Sequence, residues 1–264
     1  MSKPAFARSS ELRQHAWEAM SMTWQTVLSI LFVINIISTI GSLVAQYIPL
    51  FGWALSMAVS FALTVPRMGL TRGALDHLNG RFFTYEHISS MTPYIRQVLC
   101  FHLWEMLFLL LWGLPGGVLT VVGLAGVFST ADSTIVIVSF VLAAAGFLLM
   151  VVLQGLAMLN YTLASCCIAD TPNMGGRQAL ARSKELMRGH RWRYILMMLP
   201  VWGITLVIGV IGTLLGRAMD PMLTSLLITI LSIVPDVMTL YMAPVLYTEL
   251  AGSRRLVSNF WRKR

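Results

Sequence analysis

Three ionisable side chains stand inside long apolar runs: His102 and Glu105 in one run, Asp236 in another. On insertion scales an ionisable group at the centre of a bilayer costs roughly 2.5–3.5 kcal/mol, so such residues point to function by default. A spacing of three puts His102 and Glu105 on one helix face, where an imidazole and a carboxylate can share a proton or begin a metal site. A metal would need at least two further ligands. No second His or Cys lies at matching depth, so neither a metal nor any other cofactor is expected. Measured at about 1.5 Å per residue, Asn35, Glu105, Gln154 and Asp236 fall roughly 12–18 Å from the same end of their apolar runs. Four polar groups at one depth have two readings. One is a structural layer of hydrogen bonds that joins helices, with the acids protonated. The other is a polar cavity for an ion, a proton or a headgroup, which Pro235 beside Asp236 favours by freeing backbone carbonyls.

Other chemistry is not indicated. The chain has no phosphate-binding glycine loop, no strand-to-helix serine elbow and no H-E-x-x-H pair. Cys100, Cys166 and Cys167 lack paired C-x-x-C spacing and read as buried thiols, with reversible acylation of Cys166 or Cys167 open by position. The expectation is therefore a non-enzymatic protein. An intramembrane lipid enzyme built on His102 and Glu105 is the weakest of the alternatives.

The elements that carry these residues are membrane spans. The chain is 57% hydrophobic and 11% charged, too few charges to coat a water-facing surface. Its apolar residues come in blocks long enough to cross a bilayer as helices, the one spanning form that satisfies its own backbone within each segment. An all-α bundle of about six transmembrane helices in three hairpins is expected, as one membrane domain. The expected spans are 24–44, 50–65, 98–127, 135–164, 195–215 and 223–247, the first a retained span rather than a cleaved leader. Pro66 and Arg67 should mark the end of the second span. Residues 67–96, broken at Gly80, should form two short interfacial helices. Gly113, Pro115, Gly116 and Gly117 should kink or interrupt the third span. Residues 176–189 should form an amphipathic helix along the membrane surface. Its face of Ala179, Leu180, Ser183, Leu186 and Met187 would be turned inward, with Arg177, Lys184 and Arg188 outward.

Charge sets the orientation. With this layout 18 of the 19 Lys and Arg residues fall on one side: three near the N-terminus, four over 67–96, six over 177–193 and five in the tail 252–264. Arg217 alone falls on the other side. The rich side should be cytoplasmic, which puts both termini in the cytoplasm and the protein in the cell membrane. The formal charge of +8 therefore reads as topology and attraction to anionic lipid, not as nucleic-acid binding. Arg177, Arg182, Lys184, Arg188, Arg191 and Arg193 are candidate contacts for anionic headgroups or for a partner protein, and a homo-oligomer is also open.

Several motifs in order resemble a bacterial membrane family catalogued as domain of unknown function 975. Arg13-x-x-Ala16 followed by Trp24 is similar to its opening motif, and Leu114-Pro115-Gly116 to its Ile-Pro-Gly break. Asp170-x-Pro172 precedes Ala179-Leu180-x-x-Ser183-x-x-Leu186-Met187-x-Gly189 and then Trp192-Arg193, the most specific run. The resemblance implies a multi-pass topology and carries no reaction, substrate or catalytic residue. Function then divides between a membrane component that organises lipid or partner proteins and a transporter or permease-like subunit with a polar site at Glu105 and Asp236.

Overall fold

The computed structural model describes residues 9–48, 51–129 and 132–252. Lys3, Arg8 and the tail beyond Gly252 lie outside the described residues. Among the described residues every regular element is helical: α1 (Ser9–Gln46), α2 (Gly52–Leu78), α3 (Ile95–Ser129), α4 (Ser133–Tyr161), α5 (Ala164–Asp170), α6 (Gly176–Met187), α7 (Arg191–Ala218) and α8 (Pro221–Leu250). Two short 3-10 turns, Tyr85–Ile88 and Thr92–Tyr94, sit between α2 and α3. Six helices are long and apolar enough to cross a membrane: α1, α2, α3, α4, α7 and α8.

Within the α1–α2, α3–α4 and α7–α8 pairs the helices run antiparallel. Asp132 caps α4 by accepting from the Thr134 amide at 2.9 Å. Asp220 caps α8 by accepting from the Met222 amide at 2.8 Å. Each satisfies an amide that the helix itself leaves without a partner. α8 packs along α1 and α7, and α3 packs chiefly along α4.

At one end of the bundle the last turns of α2, the 3-10 turns, α5, α6 and the end of α8 close into a core. Leu70, Met91, Leu163, Ile168, Leu180, Met187, Met197 and Leu246 are fully buried there. This core explains why α2 does not stop at Pro66, as expected, but runs on to Leu78. A proline removes one helical hydrogen bond and crowds the preceding turn. Burial of Met68, Leu70, Ala74, Leu75 and Leu78 outweighs that cost. Instead of two interfacial helices, residues 67–96 therefore divide into the end of α2, a turn at Gly80 (φ 84°) and the two 3-10 turns. Asp76 clasps this segment, accepting from Arg81 at 2.9 Å and lying 3.4 Å from His87 Nε2.

The expected interruption at Gly113–Gly117 does not occur either, and α3 is continuous through Pro115. Its glycines form a contact seam. A Cβ at Gly116 would collide with the Met150 backbone on α4, and one at Gly123 with the Ala143 backbone. Close backbone approach is how helices pack where lipid gives no hydrophobic drive. The fourth apolar run breaks at Thr162 and Leu163, so the stretch expected as one span to 164 becomes α4 and the short α5, which buries Cys166 and Cys167. Cys100 is exposed.

Candidate functional site

The polar chemistry gathers between α1 and α8. Asn35 on α1 donates from Nδ2 to Oδ2 of Asp236 on α8 at 2.7 Å. Toward the far end, the Thr39 and Thr229 hydroxyls meet at 2.8 Å. Toward the packed end, the Thr23 and Tyr241 hydroxyls are bonded. These three pairs form a polar ladder along an otherwise apolar helix contact.

Beside Asp236 lies a cavity of about 360 Å³, open to the outside of the bundle. Leu31 and Asn35 of α1 form one wall and Arg67, Leu70 and Thr71 of α2 another. Thr162 and Ser165, Tyr194 of α7, and Asp236, Thr239, Leu240, Ala243 and Pro244 of α8 complete it. Arg67 enters this wall because α2 continues past Pro66, which places the guanidinium three turns inside the helix end. Among the described residues the Arg67 side chain has no hydrogen-bond or ion-pair partner, and Asn35 is the one partner of the Asp236 carboxylate. α8 is locally weakened here. Pro235 and Pro244 lie within it, and Pro244 cannot donate to the carbonyl of Leu240 four residues back. The Thr239 hydroxyl donates to the Pro235 carbonyl at 2.8 Å.

With this geometry in view, the family model described as "Protein of unknown function (DUF975)" matches residues 1–250. The chain belongs to this family. No curated protein and no solved structure matches it.

The DUF975 motifs quoted above now have structural roles. Tyr247 of α8 donates to the carboxylate of Asp170 at 2.9 Å, which ties the end of α5 to α8. The Ala179-Leu180-x-x-Ser183 run is the buried face of α6, and Ser183 donates to the Asn160 carbonyl of α4 at 2.8 Å. Met187 is buried on the same face, while Arg177, Lys184 and Arg188 are exposed. Arg177 stands over the Trp104 ring at 6.0 Å, and Arg182 pairs with Glu185 at 3.6 Å on the surface. Arg191 and Arg193 are half-buried.

Of the four residues placed at one depth, the structure joins Asn35 and Asp236. Glu105 does not line their cavity. It pairs with His102 on its own helix, Oε2 to Nδ1 at 3.5 Å, and the His102 ring meets the edge of Phe61 on α2. Gln154 packs on α4 against Gly113 of α3, within that hairpin's seam. Among the described residues no three of His, Cys, Asp and Glu gather as a metal-holding group. Sequence reasoning missed Arg67, Thr71, Thr162, Ser165, Tyr194 and Thr239. Arg67 carried a signal, since it lies four residues before Thr71 on the same helix face, but the proline before it read as a boundary.

Proposed function

We propose that this protein is a non-enzymatic, multi-pass component of the cell membrane that receives the polar part of a ligand in the cavity between α1, α2, α7 and α8. The observation that carries the reading is the cavity wall itself. It holds a carboxylate with a single amide partner and a guanidinium with none, on helices apolar enough for lipid. Both side chains are exposed, and a charge exposed within an apolar span is costly unless a ligand, a headgroup or water completes it. The lysine and arginine distribution supports cytoplasmic termini, and with them a cavity in the cytoplasmic half. In that orientation Arg177, Arg182, Lys184 and Arg188 face anionic headgroups, each contributing about 1 kcal/mol near the surface.

Ala243 lines the cavity, so Ala243→Phe should fill it. Native mass spectrometry of the purified protein should show a ligand or lipid retained by the wild type and lost from this variant. Equal retention by both would sink the reading. Reporter fusions at the two termini test the orientation, and an external C-terminus would reverse it. Transport is a second reading, favoured by Pro235 and Pro244 in α8. It requires Asp236→Asn to change the ion dependence of uptake in proteoliposomes while leaving the folded level unchanged.

A further inference from the structure

The cavity has two chemically distinct poles. At one, Asp236 keeps Oδ1 without a partner while Oδ2 accepts from Asn35. Thr239 lies one turn further along α8, and its hydroxyl hydrogen is already given to Pro235, so it offers lone pairs. Acceptors therefore dominate this pole. The other pole is Arg67, a planar group with five N–H donors and no acceptor. Arg67 and Asp236 form no ion pair with each other, so the opposite charges stand in one cavity without satisfying one another.

We propose that the cavity binds an ethanolamine-phosphate group, with its primary ammonium at Asp236 and its phosphate at Arg67. This assignment rests on the reading above that the cavity holds a polar ligand, and it names that ligand's class. A zwitterion answers both poles, whereas a simple cation would face Arg67 and a simple anion would face Asp236. The acceptor-rich pole selects an ammonium that carries N–H bonds. A trimethylated ammonium has none to give to the Asp236 carboxylate or the Thr239 oxygen. The guanidinium fork matches a phosphate bidentately, which a lysine in its place would not. The volume of about 360 Å³ lies within the range of small-molecule sites, and its opening leaves room for acyl chains to remain outside. The group can come from a bilayer lipid or from a soluble phosphate ester.

The test is native mass spectrometry of the full chain in detergent. It is titrated with phosphatidylethanolamine, phosphatidylcholine and phosphatidylglycerol of identical acyl chains. Losing charge-assisted hydrogen bonds at one pole corresponds to about tenfold in affinity, so phosphatidylethanolamine should bind about tenfold tighter than phosphatidylcholine. Asp236→Asn keeps the side-chain shape and should bring that ratio close to one. Arg67→Gln should weaken both lipids alike and leave the ratio standing, because they share the phosphate. Equal wild-type binding of the two zwitterionic lipids, tighter binding of phosphatidylglycerol, or an unchanged ratio in Asp236→Asn would each overturn the assignment. If any of these occurs while Ala243→Phe still abolishes lipid binding, the cavity reading survives and the ethanolamine-phosphate assignment alone fails. If Ala243→Phe affects no lipid, both fail. Adding free phosphoethanolamine separates the sources. Displacement of bound lipid at millimolar concentration assigns the group to a soluble ester, and displacement by intact lipid alone assigns it to the bilayer. Either result supports the shared chemistry.

Discussion

At the packed end, α2, α5, α6 and α8 meet through Leu70, Ile168, Leu180 and Leu246, each at or near zero exposure. Along the outer two thirds of α3 and α4, the side chains of Leu110, Val118, Val121, Phe140 and Leu148 are exposed, and the buried positions are Gly113, Gly116, Gly123, Ala143 and Gly146 with few others. The two regions pack by opposite means. At the packed end large side chains turn inward and their burial drives association. Along α3 and α4, which are apolar enough to cross a membrane, large side chains turn outward, and the helices approach through residues that have almost no side chain.

The largest effect that this contrast predicts is at Leu180. Leu180→Ala should cost about 2–5 kcal/mol, as large-to-small changes in packed cores do. Leu148→Ala, at an exposed position of α4, should change stability by less than about 0.5 kcal/mol. Thermal unfolding in one detergent compares the two, and equal losses would break the contrast. The next largest is Gly116→Leu, which forces a side chain against the Met150 backbone and should cost about 1–3 kcal/mol by overpacking. Spin labels on α3 and α4 should also report wider separation, whereas an unchanged distance would show that the seam is not held by glycine. Smaller still is Asp220→Ala, which removes the cap of α8 and should cost about 1 kcal/mol. Amide exchange at Met222 and Leu223 should quicken while the packed end stays protected. Smallest is Arg182→Ala, which breaks an exposed ion pair with Glu185 and should cost under about 0.5 kcal/mol, with the small loss fading as salt is added.

The two regions also differ in how well they could be read from the chain. Six long apolar helices follow from block length alone, because a bilayer fixes how many residues cross it. The buried face of α6 follows from periodicity, since Ala179, Leu180, Ser183 and Met187 recur at helical spacing. Local rules failed where tertiary burial overrode them. Pro66 reads as a stop, yet the core around Leu70 and Leu75 carries α2 beyond it. Gly113, Gly116 and Gly117 read as a break, yet Gly116 is where the α4 backbone comes close and Gly113 makes room for Gln154. Depth along the chain put Asn35, Glu105, Gln154 and Asp236 in one layer, and of these Asn35 and Asp236 meet. The same measure could not exclude Glu105 and Gln154, because depth says nothing about which helices are neighbours. Arg67 became a cavity residue only through the extension of α2.

The attachment of the α3–α4 hairpin has a mechanical consequence. At 1.5 Å per residue, the 35 residues of α3 make a rod of roughly 50 Å. Its firmest hold on α6 is near Phe101, where Gly176 sits against the backbone, and beyond Gly113 its buried positions turn to α4. The pair is thus a lever with its fulcrum near one end. A rotation of roughly 5° about that fulcrum carries the distal tip sideways by about 4 Å, while the atoms beside α6 move by less than about 1 Å. A sideways force on the exposed arm would therefore bear on the contacts at that end, those around Phe101, Trp104 and Arg177 and the Ser183–Asn160 bond to α4 among them.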